Sequence, residues 1–444
     1  MSIKLSDHFG YKKLIKFILP TVAMMIVTSI YSVVDGFFVS NFAGKTPFAA
    51  INLIMPVLMI LGTVGFMFGT GGTALVAMTY GEGNKEKANS YFSLLVYTAF
   101  LLGIIFAVLG FVFIRPIAVL LGAEGALLEN CVLYSRIILL ALPLYILQMM
   151  FQSFFVAAEK PNLGLIVTIS SGATNMILDA VLVISLPQEY KLAGAAAATA
   201  ISQTVGGIIP LFYFFRKNSS FLRLGKTQFN GKAIIKACAN GSSEFMSNIS
   251  MSVVGMLYNS QLMKFAGENG IAAYGVMMYV SMIFAAVFVG YSVGTAPVVS
   301  YHFGAGNSPE LKGLLKKSLI IIAVFGVGMV AAAELTAAPL SKFFVGYDKE
   351  LYELTASGFR IFAISFLFMG FGIFISGFFT ALNDGATSAI VSFLRSLVFQ
   401  SAAVMLLPAI FKIDGIWISV VVAELAALAV GFAFLIAKKK KYNY

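Results

Sequence analysis

Long apolar runs separated by short polar turns dominate the chain, and this pattern predicts an α-helical membrane protein. A helix needs about 20 apolar residues to cross the hydrocarbon core of a bilayer. Runs of this kind predict an all-α polytopic membrane protein with twelve transmembrane helices. The predicted spans are residues 14–40, 50–79, 90–113, 128–158, 162–186, 192–215, 233–264, 271–302, 313–337, 351–382, 386–409 and 414–437.

The longest polar connection divides these spans into two groups of six. Residues 216–232 are basic and polar, and no stretch between spans is long enough for a soluble domain. We therefore expect an N-terminal six-helix lobe at 1–215, a cytoplasmic linker at 216–232, and a C-terminal six-helix lobe at 233–444 that ends in a basic tail.

The two groups also repeat one another. Residues 42–44 (Phe-Ala-Gly) recur as residues 265–267, and the Gly-x-Gly-Asn turn at 81–84 recurs at 304–307, both at a shift of 223. Because each unit has an even number of spans, both copies enter the membrane from the same side and are related by an axis along the membrane normal. The sequence thus predicts two pseudo-symmetric bundles with a cleft between them.

Composition and motifs exclude several classes of protein. Of the 444 residues, 59% are apolar and 11% charged, whereas soluble domains have about 25% charged residues. This excludes a cytosolic enzyme, a nucleic-acid binder and a disulfide-rich secreted module. With two cysteines, two histidines and no metalloprotease, nucleophile-elbow or Walker motif, we expect no enzymatic activity, no cofactor and no nucleic-acid partner.

Lysine and arginine set the expected orientation. If the N-terminus is cytoplasmic, twenty of these residues lie on that side and seven on the other, and three lie within helices. Positive residues concentrate on the cytoplasmic side of membrane proteins. We therefore expect a multi-pass protein of the cytoplasmic (plasma) membrane with both termini in the cytoplasm.

A few polar residues inside the predicted spans are candidates for chemistry. A charged side chain at mid-membrane costs at least about 2.5–3.5 kcal/mol on insertion scales, so each needs a reason to be there. Asp35 on helix 1, Asn175 and Asp179 on helix 5, and Thr199 on helix 6 reach similar depths in the outer part of the first bundle. Their oxygens can coordinate Na⁺, with Asp35, Asn175 and Asp179 as metal ligands, or hold a proton between two carboxylates. Alternatively, they are interfacial or brace neighbouring helices.

Other charges fall in the second bundle. Glu244, in the inner half of helix 7, faces the cleft and attracts cations or takes part in proton coupling, or else caps broken helix backbone. Arg395 and Glu424 are at similar mid-depth, and we expect them to neutralise each other. The repeat maps Asp35 onto Tyr258 and Asp179 onto Ala403, so the second bundle lacks the acidic pair.

These motifs resemble the multidrug and toxic compound extrusion (MATE) family, in its MepA-like bacterial branch. The resemblance rests on Asp35, on Asn175-Met-Ile-Leu-Asp-Ala180, on Gly194-Ala-Ala and Thr199-Ala-Ile-Ser202, on the two Gly-x-Gly-Asn turns, and on Ala423-Glu-Leu425. It implies an alternating-access antiporter that exports organic, often cationic and amphipathic, compounds in exchange for Na⁺ or H⁺.

The resemblance also implies site residues. Relatives form an ion site in the N-terminal lobe from residues that match Asp35, Asn175, Asp179 and Thr199. Other branches use an acid that matches Glu244 together with one on helix 10, which has no acid at mid-depth here. We expect small organic cations and membrane lipid as partners, and a monomer. The alternative function is a flippase for lipid-linked oligosaccharides, which would favour a cationic cavity.

Overall fold

The chain folds almost wholly into helices. The structure is a computed structural model that describes residues 3–444, with all side chains except those of Ser32, Phe37, Ser40 and Asn41. The first six helices are α1 (Tyr11–Phe38), α2 (Lys45–Gly81), α3 (Lys85–Leu120), α4 (Gly125–Ala157), α5 (Pro161–Ser185) and α6 (Lys191–Phe215). The next six are α7 (231–266), α8 (268–304), α9 (Ser308–Val345), α10 (Lys349–Ala363 with Phe366–Ala381), α11 (Gly385–Leu406) and α12 (Pro408–Tyr442).

Twelve spans result when two breaks are taken into account. In the described chain, ten helices are long and apolar enough to cross a membrane, and the two pieces of α10, bent by 49°, make an eleventh span. The run Gly231–Gly304 is divided at Gly267, whose φ of 59° and ψ of −147° are not helical, so it supplies two spans. The predicted all-α fold with twelve spans is confirmed.

The predicted repeat appears in the backbone itself. Gly267 separates α7 from α8, and its counterpart Gly44 separates α1 from α2 with a φ of 105°. Both conformations are ones that side chains other than glycine rarely adopt. Asn84 and Asn307, also counterparts, cap α3 and α9 by accepting hydrogen bonds from backbone N–H groups three residues on. The same turns therefore begin equivalent helices in both halves.

Several helices extend beyond the predicted spans. α3 begins five residues before the predicted span and ends seven after it, and α9 is longer at both ends. Apolar runs mark only the part of a helix that lies in hydrocarbon, whereas capped ends continue into the polar interface. α10, which the sequence predicted as one continuous span, is broken at residues 364–365.

The segment 216–230 packs against the first six helices. Leu222 and Leu224 are buried, the ring of Phe221 stacks on Tyr80 with centroids 3.9 Å apart, and the backbone N–H of Arg223 donates to Asn89 Oδ1. The predicted linker is thus attached to α2 and α3 along much of its length.

The two halves meet most closely where α2 crosses α7 and α8. A Cβ added to Gly241 on α7 would clash with the carbonyl oxygen of Met67 on α2, and one added to Gly71 would clash with that of Ala237. One added to Gly304 on α8 would clash with Met78. These residues lie in the halves of the helices next to the two chain termini. Close packing between the bundles is therefore concentrated at that end.

An N-terminal strap, residues 3–10, crosses the same end and contacts both halves. The backbone N–H of Leu5 donates to Glu159, in the α4–α5 turn, at 2.8 Å. The N–H of Phe9 donates to Glu310 at the start of α9 at 2.9 Å, and His8 Nδ1 lies 2.6 Å from the same carboxylate. Burial raises the pKa of Glu159 above its usual value.

Candidate ion-binding site

The four residues predicted for the first bundle come together near the end of α1. Thr199 Oγ1 on α6 donates to Asp35 Oδ1 at 3.4 Å, and Asn175 Nδ2 on α5 donates to the Thr199 hydroxyl at 3.5 Å. Asn175 and Asp179 also lie within hydrogen-bonding reach of the Asp35 carboxyl group. Three helices thus converge on one cluster of oxygen atoms.

Local helix geometry explains this convergence. Asn175 and Asp179 are four residues apart on α5 and therefore share one face, which is buried. Asp35 lies in the last turns of α1, just before the helix widens into a π-helical segment at Val39–Ala43. π-Helical turns are rare and are often found at functional sites.

Several acceptor atoms of this cluster lack a donor. Asp179 is fully buried, and in the described part of the chain neither of its carboxylate oxygens accepts a hydrogen bond; the same is true of Asn175 Oδ1. Two carboxylates can hydrogen-bond to each other only if one of them carries a proton, and two buried negative charges repel strongly. A cation or a proton shared with Asp35 would satisfy these oxygens.

Tyr134 on α4 belongs to the site and was not found from the sequence. Its side chain is 1% exposed, its hydroxyl lies within hydrogen-bonding reach of Thr199, and it is close enough to interact with the charges of Asp35 and Asp179. Tyrosines are frequent in membrane helices, so composition gave no reason to single it out.

Polar side chains continue from this site into the bundle. Ser171, one helical turn before Asn175, accepts a hydrogen bond from Gln148 at 3.1 Å and donates to the carbonyl of Ser202 at 2.7 Å. These buried groups join α4, α5 and α6 next to the carboxylates.

The site suits a monovalent cation better than a transition metal. Its donors are two carboxylates, an amide oxygen and a hydroxyl, and hard cations such as Na⁺ favour oxygen ligands. Among residues 3–444, no three histidine, cysteine, aspartate or glutamate side chains are grouped so as to hold a metal ion.

The predicted charges of the second bundle also lie near one another. Arg395 Nε on α11 donates to Glu424 Oε2 on α12 at 2.8 Å, so the predicted pairing is present. Glu244 on α7 is partly exposed and interacts electrostatically with Arg395. In the described chain, no hydrogen bond or ion pair joins either glutamate to the Asp35 cluster, so these charges form a separate group.

Comparison with known proteins places this architecture in a family. The MatE family profile matches residues 20–181 and 245–406, one match in each half of the chain. Together these matches cover well over half of the sequence. The chain belongs to the MatE family. This confirms the resemblance stated above and identifies the protein as a transporter and not an enzyme.

Other MatE proteins are similar over nearly the whole chain. Multidrug export protein MepA of Staphylococcus haemolyticus (strain JCSC1435) is 26% identical over 415 residues, which cover 93% of this chain and 90% of that protein. MepA of Staphylococcus aureus (strain MRSA252) is 26% identical over 424 residues, covering 94% and 92%.

Solved MATE structures share the fold. One, described as MATE in complex with MaL6, superimposes with a TM-score of 0.93 at 22% identity and covers 98% of both chains. Another, described as the outward-facing conformation of a multidrug resistance MATE family transporter, has a TM-score of 0.92 at 22% identity and covers 98% of this chain and 97% of its own.

Proposed function

We propose that this MatE protein is a secondary active antiporter that exports organic, cationic and amphipathic compounds in exchange for Na⁺ or H⁺. The observation that carries the proposal is the buried pair of carboxylates, Asp35 and Asp179, in which neither oxygen of Asp179 accepts a hydrogen bond from the described part of the chain. A buried site of this kind binds a cation in preference to remaining empty. The names of the MepA relatives support multidrug compounds as the exported class.

The contacts between the bundles support alternating access. α2 packs tightly on α7 and α8 at the end that carries the termini. With the termini in the cytoplasm, as the distribution of lysine and arginine indicates, this arrangement is closed to the cytoplasm and its cleft opens outward. Rocking of the lobes 1–215 and 233–444 about the linker 216–232 would expose the cleft to the cytoplasm instead.

Ion binding drives the cycle only if it favours one conformation. A ligand that binds two conformations with equal affinity does not change their relative populations. Asp35 is on α1, and Asp179 and Thr199 are on α5 and α6, so a bound ion draws three helices together. Since α1 also contacts α8 of the second bundle through Val22 and Gly290, its repacking around the ion is transmitted to the interface between the lobes. External Na⁺ or H⁺ thereby lowers substrate affinity and promotes release outside.

Transport in proteoliposomes tests this proposal. Export of a fluorescent organic cation is measured under an imposed Na⁺ gradient, an imposed H⁺ gradient and no gradient, with the wild type, Asp35→Asn and Asp179→Asn. The control is Asp414→Asn, which makes the same change at an exposed acid outside both charge clusters. We expect gradient-driven export by the wild type and the control, and its loss in both site variants. Gradient-independent export, or full activity in both site variants, would refute the coupling.

Two further properties complete the proposal. We infer that the protein works as a monomer, because the cleft lies between two lobes of a single chain, and that both termini are cytoplasmic. Labelling of Lys441→Cys in intact cells tests the orientation. If the tail is cytoplasmic, this cysteine reacts only with a label that enters the cytoplasm. The flippase alternative is disfavoured because the buried charges near the cleft have an excess of acids over bases.

A further inference from the structure

A surface groove lies between α3 and α4, in the half of the first bundle opposite the chain termini. Its volume is about 310 Å³, and its lining includes Phe111 on α3 and Glu129, Leu133, Arg136 and Leu140 on α4. The two leucines are 41% and 74% exposed. Exposed apolar side chains within a membrane span contact lipid, whose hydrocarbon tails are as apolar as leucine. This α3–α4 groove is therefore on the lipid-facing side of the bundle.

Arg136 places a positive charge inside the α3–α4 groove. It lies about 16 Å along the helix from Gly125, where α4 begins. Glu129 is one of the groove residues nearer that end, and it is on the same face because seven residues are close to two helical turns. The carboxylate of Glu129 is paired with the guanidinium group of Arg115 on α3, so these two charges cancel. The groove therefore has one net positive charge, that of Arg136.

The guanidinium group of Arg136 has an aromatic neighbour but no acidic one. Its central carbon lies 4.9 Å from the centroid of the Phe111 ring. Within the described chain, no hydrogen bond or ion pair involves the Arg136 side chain. A cation–π contact uses none of the five N–H donors of a guanidinium group. Because lipid hydrocarbon offers no acceptor, these donors need one from outside the protein.

The equivalent arginine of the second bundle has an acidic partner. At the shift of 223 that relates the two Gly-x-Gly-Asn turns, Phe111 on α3 corresponds to Glu334 on α9. Across the next turn the shift becomes 224, and Arg136 corresponds to Arg360 on α10. Arg360 Nε lies 3.8 Å from Glu334 Oε2. The first bundle thus keeps the arginine but has an aromatic ring where the second bundle has the neutralising carboxylate.

We propose that the α3–α4 groove binds a phospholipid of the leaflet opposite the termini, with its phosphate on Arg136 and an acyl chain along Leu133 and Leu140. Guanidinium and phosphate groups match in a bidentate geometry, and basic pockets between membrane helices bind lipid headgroups. The volume is within the range of about 300–1,000 Å³ that is common for small-molecule sites. One net positive charge favours phosphatidylglycerol, which has one net negative charge, over zwitterionic lipids. A soluble anion would leave the apolar part of the groove uncovered.

Native mass spectrometry of the full chain in detergent tests this site. The Kd of phosphatidylglycerol is measured for the wild type, Arg136→Gln and Phe111→Glu, with Arg360→Gln as the matched control. Phe111→Glu introduces the carboxylate that the second bundle has at residue 334, so it neutralises Arg136 without removing it. We expect both site variants to weaken binding about tenfold or more, because each removes a charge-assisted contact to phosphate. Arg360→Gln should not change the Kd, since that guanidinium group is already paired.

A lipid series on the wild type tests the selectivity. Phosphatidylglycerol should bind about fivefold or more tightly than phosphatidylcholine with the same acyl chains, because the choline group cancels the charge of the phosphate. Equal affinities would overturn the proposal. Inorganic phosphate added as a competitor should not displace the lipid, and displacement would mean that the groove binds a soluble anion instead.

The two site variants make the test independent of either one. Phe111 and Arg136 are both exposed, and if Arg136→Gln does not fold, Phe111→Glu carries the same measurement. An unchanged Kd in Phe111→Glu would overturn the proposal. An equal loss of binding in Arg360→Gln would also overturn it, since lipid would then respond to the total charge of the protein and not to this groove.

Discussion

At the scale of single residues, the Thr199 hydroxyl joins the two sides of the ion site. It donates to Asp35 and accepts from Asn175. Thr199→Val keeps the shape and removes both hydrogen bonds. Hydrogen bonds to charged groups contribute about 1.5–3 kcal/mol, and these two are long, so we expect the coupling-ion concentration for half-maximal transport to rise about three- to tenfold.

Two variants control this measurement. Thr199→Ser retains the hydroxyl and should behave nearly as the wild type. Thr204→Val, also on α6, removes a hydroxyl whose one hydrogen bond within the described chain is to the carbonyl of Ala200, and it should leave the ion dependence unchanged. An unaltered ion dependence in Thr199→Val would show that this hydroxyl takes no part in coupling.

The residue scale also shows how far the sequence could lead. Because charged residues are scarce, each acid within a predicted span is conspicuous. Counting residues along each helix gives the depth of its polar side chains in the membrane. Asp35, Asp179 and Thr199 form a group on this basis. Depth says nothing about the direction in which a side chain points around the helix. Tyr134 was missed for this reason, because only the packing of α4 against α6 brings its hydroxyl to Thr199.

At the scale of helices, the crossing of α2 and α7 depends on glycine. A Cβ at Gly241 would clash with the backbone of Met67, which cannot move as a flexible side chain can. Overpacking of this kind costs about 1–3 kcal/mol. We expect Gly241→Ala to lower the Tm and to weaken the contact between the two halves, as measured by thermal unfolding in detergent.

Gly255 on the same helix is the matched control. Within the described chain, nothing beyond the adjacent residues and the helix's own backbone lies within 4 Å of a Cβ placed there. Gly255→Ala should therefore have an unchanged or higher Tm, since alanine favours helix more than glycine does by about 1 kcal/mol. Equal stability of the two variants would contradict the role assigned to the crossing.

Asp384 anchors the end of α12 to the α10–α11 turn. Its carboxylate accepts hydrogen bonds from the hydroxyls of Tyr442 at 2.7 Å and Thr387 at 2.8 Å, and lies 3.5 Å from Lys438 Nζ. Burial alone would raise the pKa of Asp384, but these hydrogen bonds and the nearby ammonium group outweigh it and lower the pKa below its ordinary value of 3.8. The ionised form is therefore the one that stabilises the fold.

The pH dependence follows from that sign. The contribution of Asp384 is fully present above its ordinary pKa and is lost as pH falls through the lowered native value. We expect Asp384→Asn to lower the Tm by about 1–3 °C near neutral pH, with the difference from the wild type shrinking below roughly pH 4. Thermal scans across pH check this, with Asp414→Asn as the exposed control. A difference that grows on acidification would contradict the assignment.

The helices themselves were largely predictable, and their breaks were not. Apolar runs of membrane length are a strong signal, and the sequence repeat alone predicts that Gly44 and Gly267 lie in equivalent connections between helices. The bend between Ala363 and Phe366 has no proline or glycine to announce it. The π-helical segment Leu394–Phe399 of α11, which contains Arg395, likewise depends on packing against α10 and α12, which no local pattern encodes.

At the scale of the whole molecule, the backbone is nearly symmetric and the chemistry is not. Equivalent glycine and asparagine turns shape both halves. Yet the first half carries two neighbouring carboxylates, Asp35 and Asp179. The second half carries Glu244 and an arginine, Arg395, whose charge is neutralised by Glu424. Two lobes with similar backbones thus carry different charged groups.

The N-terminal strap links these lobes and should bias their equilibrium. Glu159 and Glu310 hold it from opposite halves through the N–H groups of Leu5 and Phe9. Replacing both with glutamine weakens each charge-assisted hydrogen bond, and losing about 1 kcal/mol shifts a two-state population roughly fivefold. In a background of Cys131→Ala and Cys238→Ala, spin labels at the exposed positions Lys87 and Lys312 report the distance between the lobes at the terminus end.

We expect the double variant Glu159→Gln, Glu310→Gln to populate a longer label distance than its parent, because the strap favours the arrangement closed at this end. Each single variant should have a smaller effect, because it weakens one of the two hydrogen bonds that hold the strap and leaves the other unchanged. Glu82→Gln, an exposed acid at the same end, should leave the distribution unchanged. An identical distance distribution in the double variant and its parent would mean that the α2 crossings alone hold the lobes together, and that the strap follows their motion without influencing it.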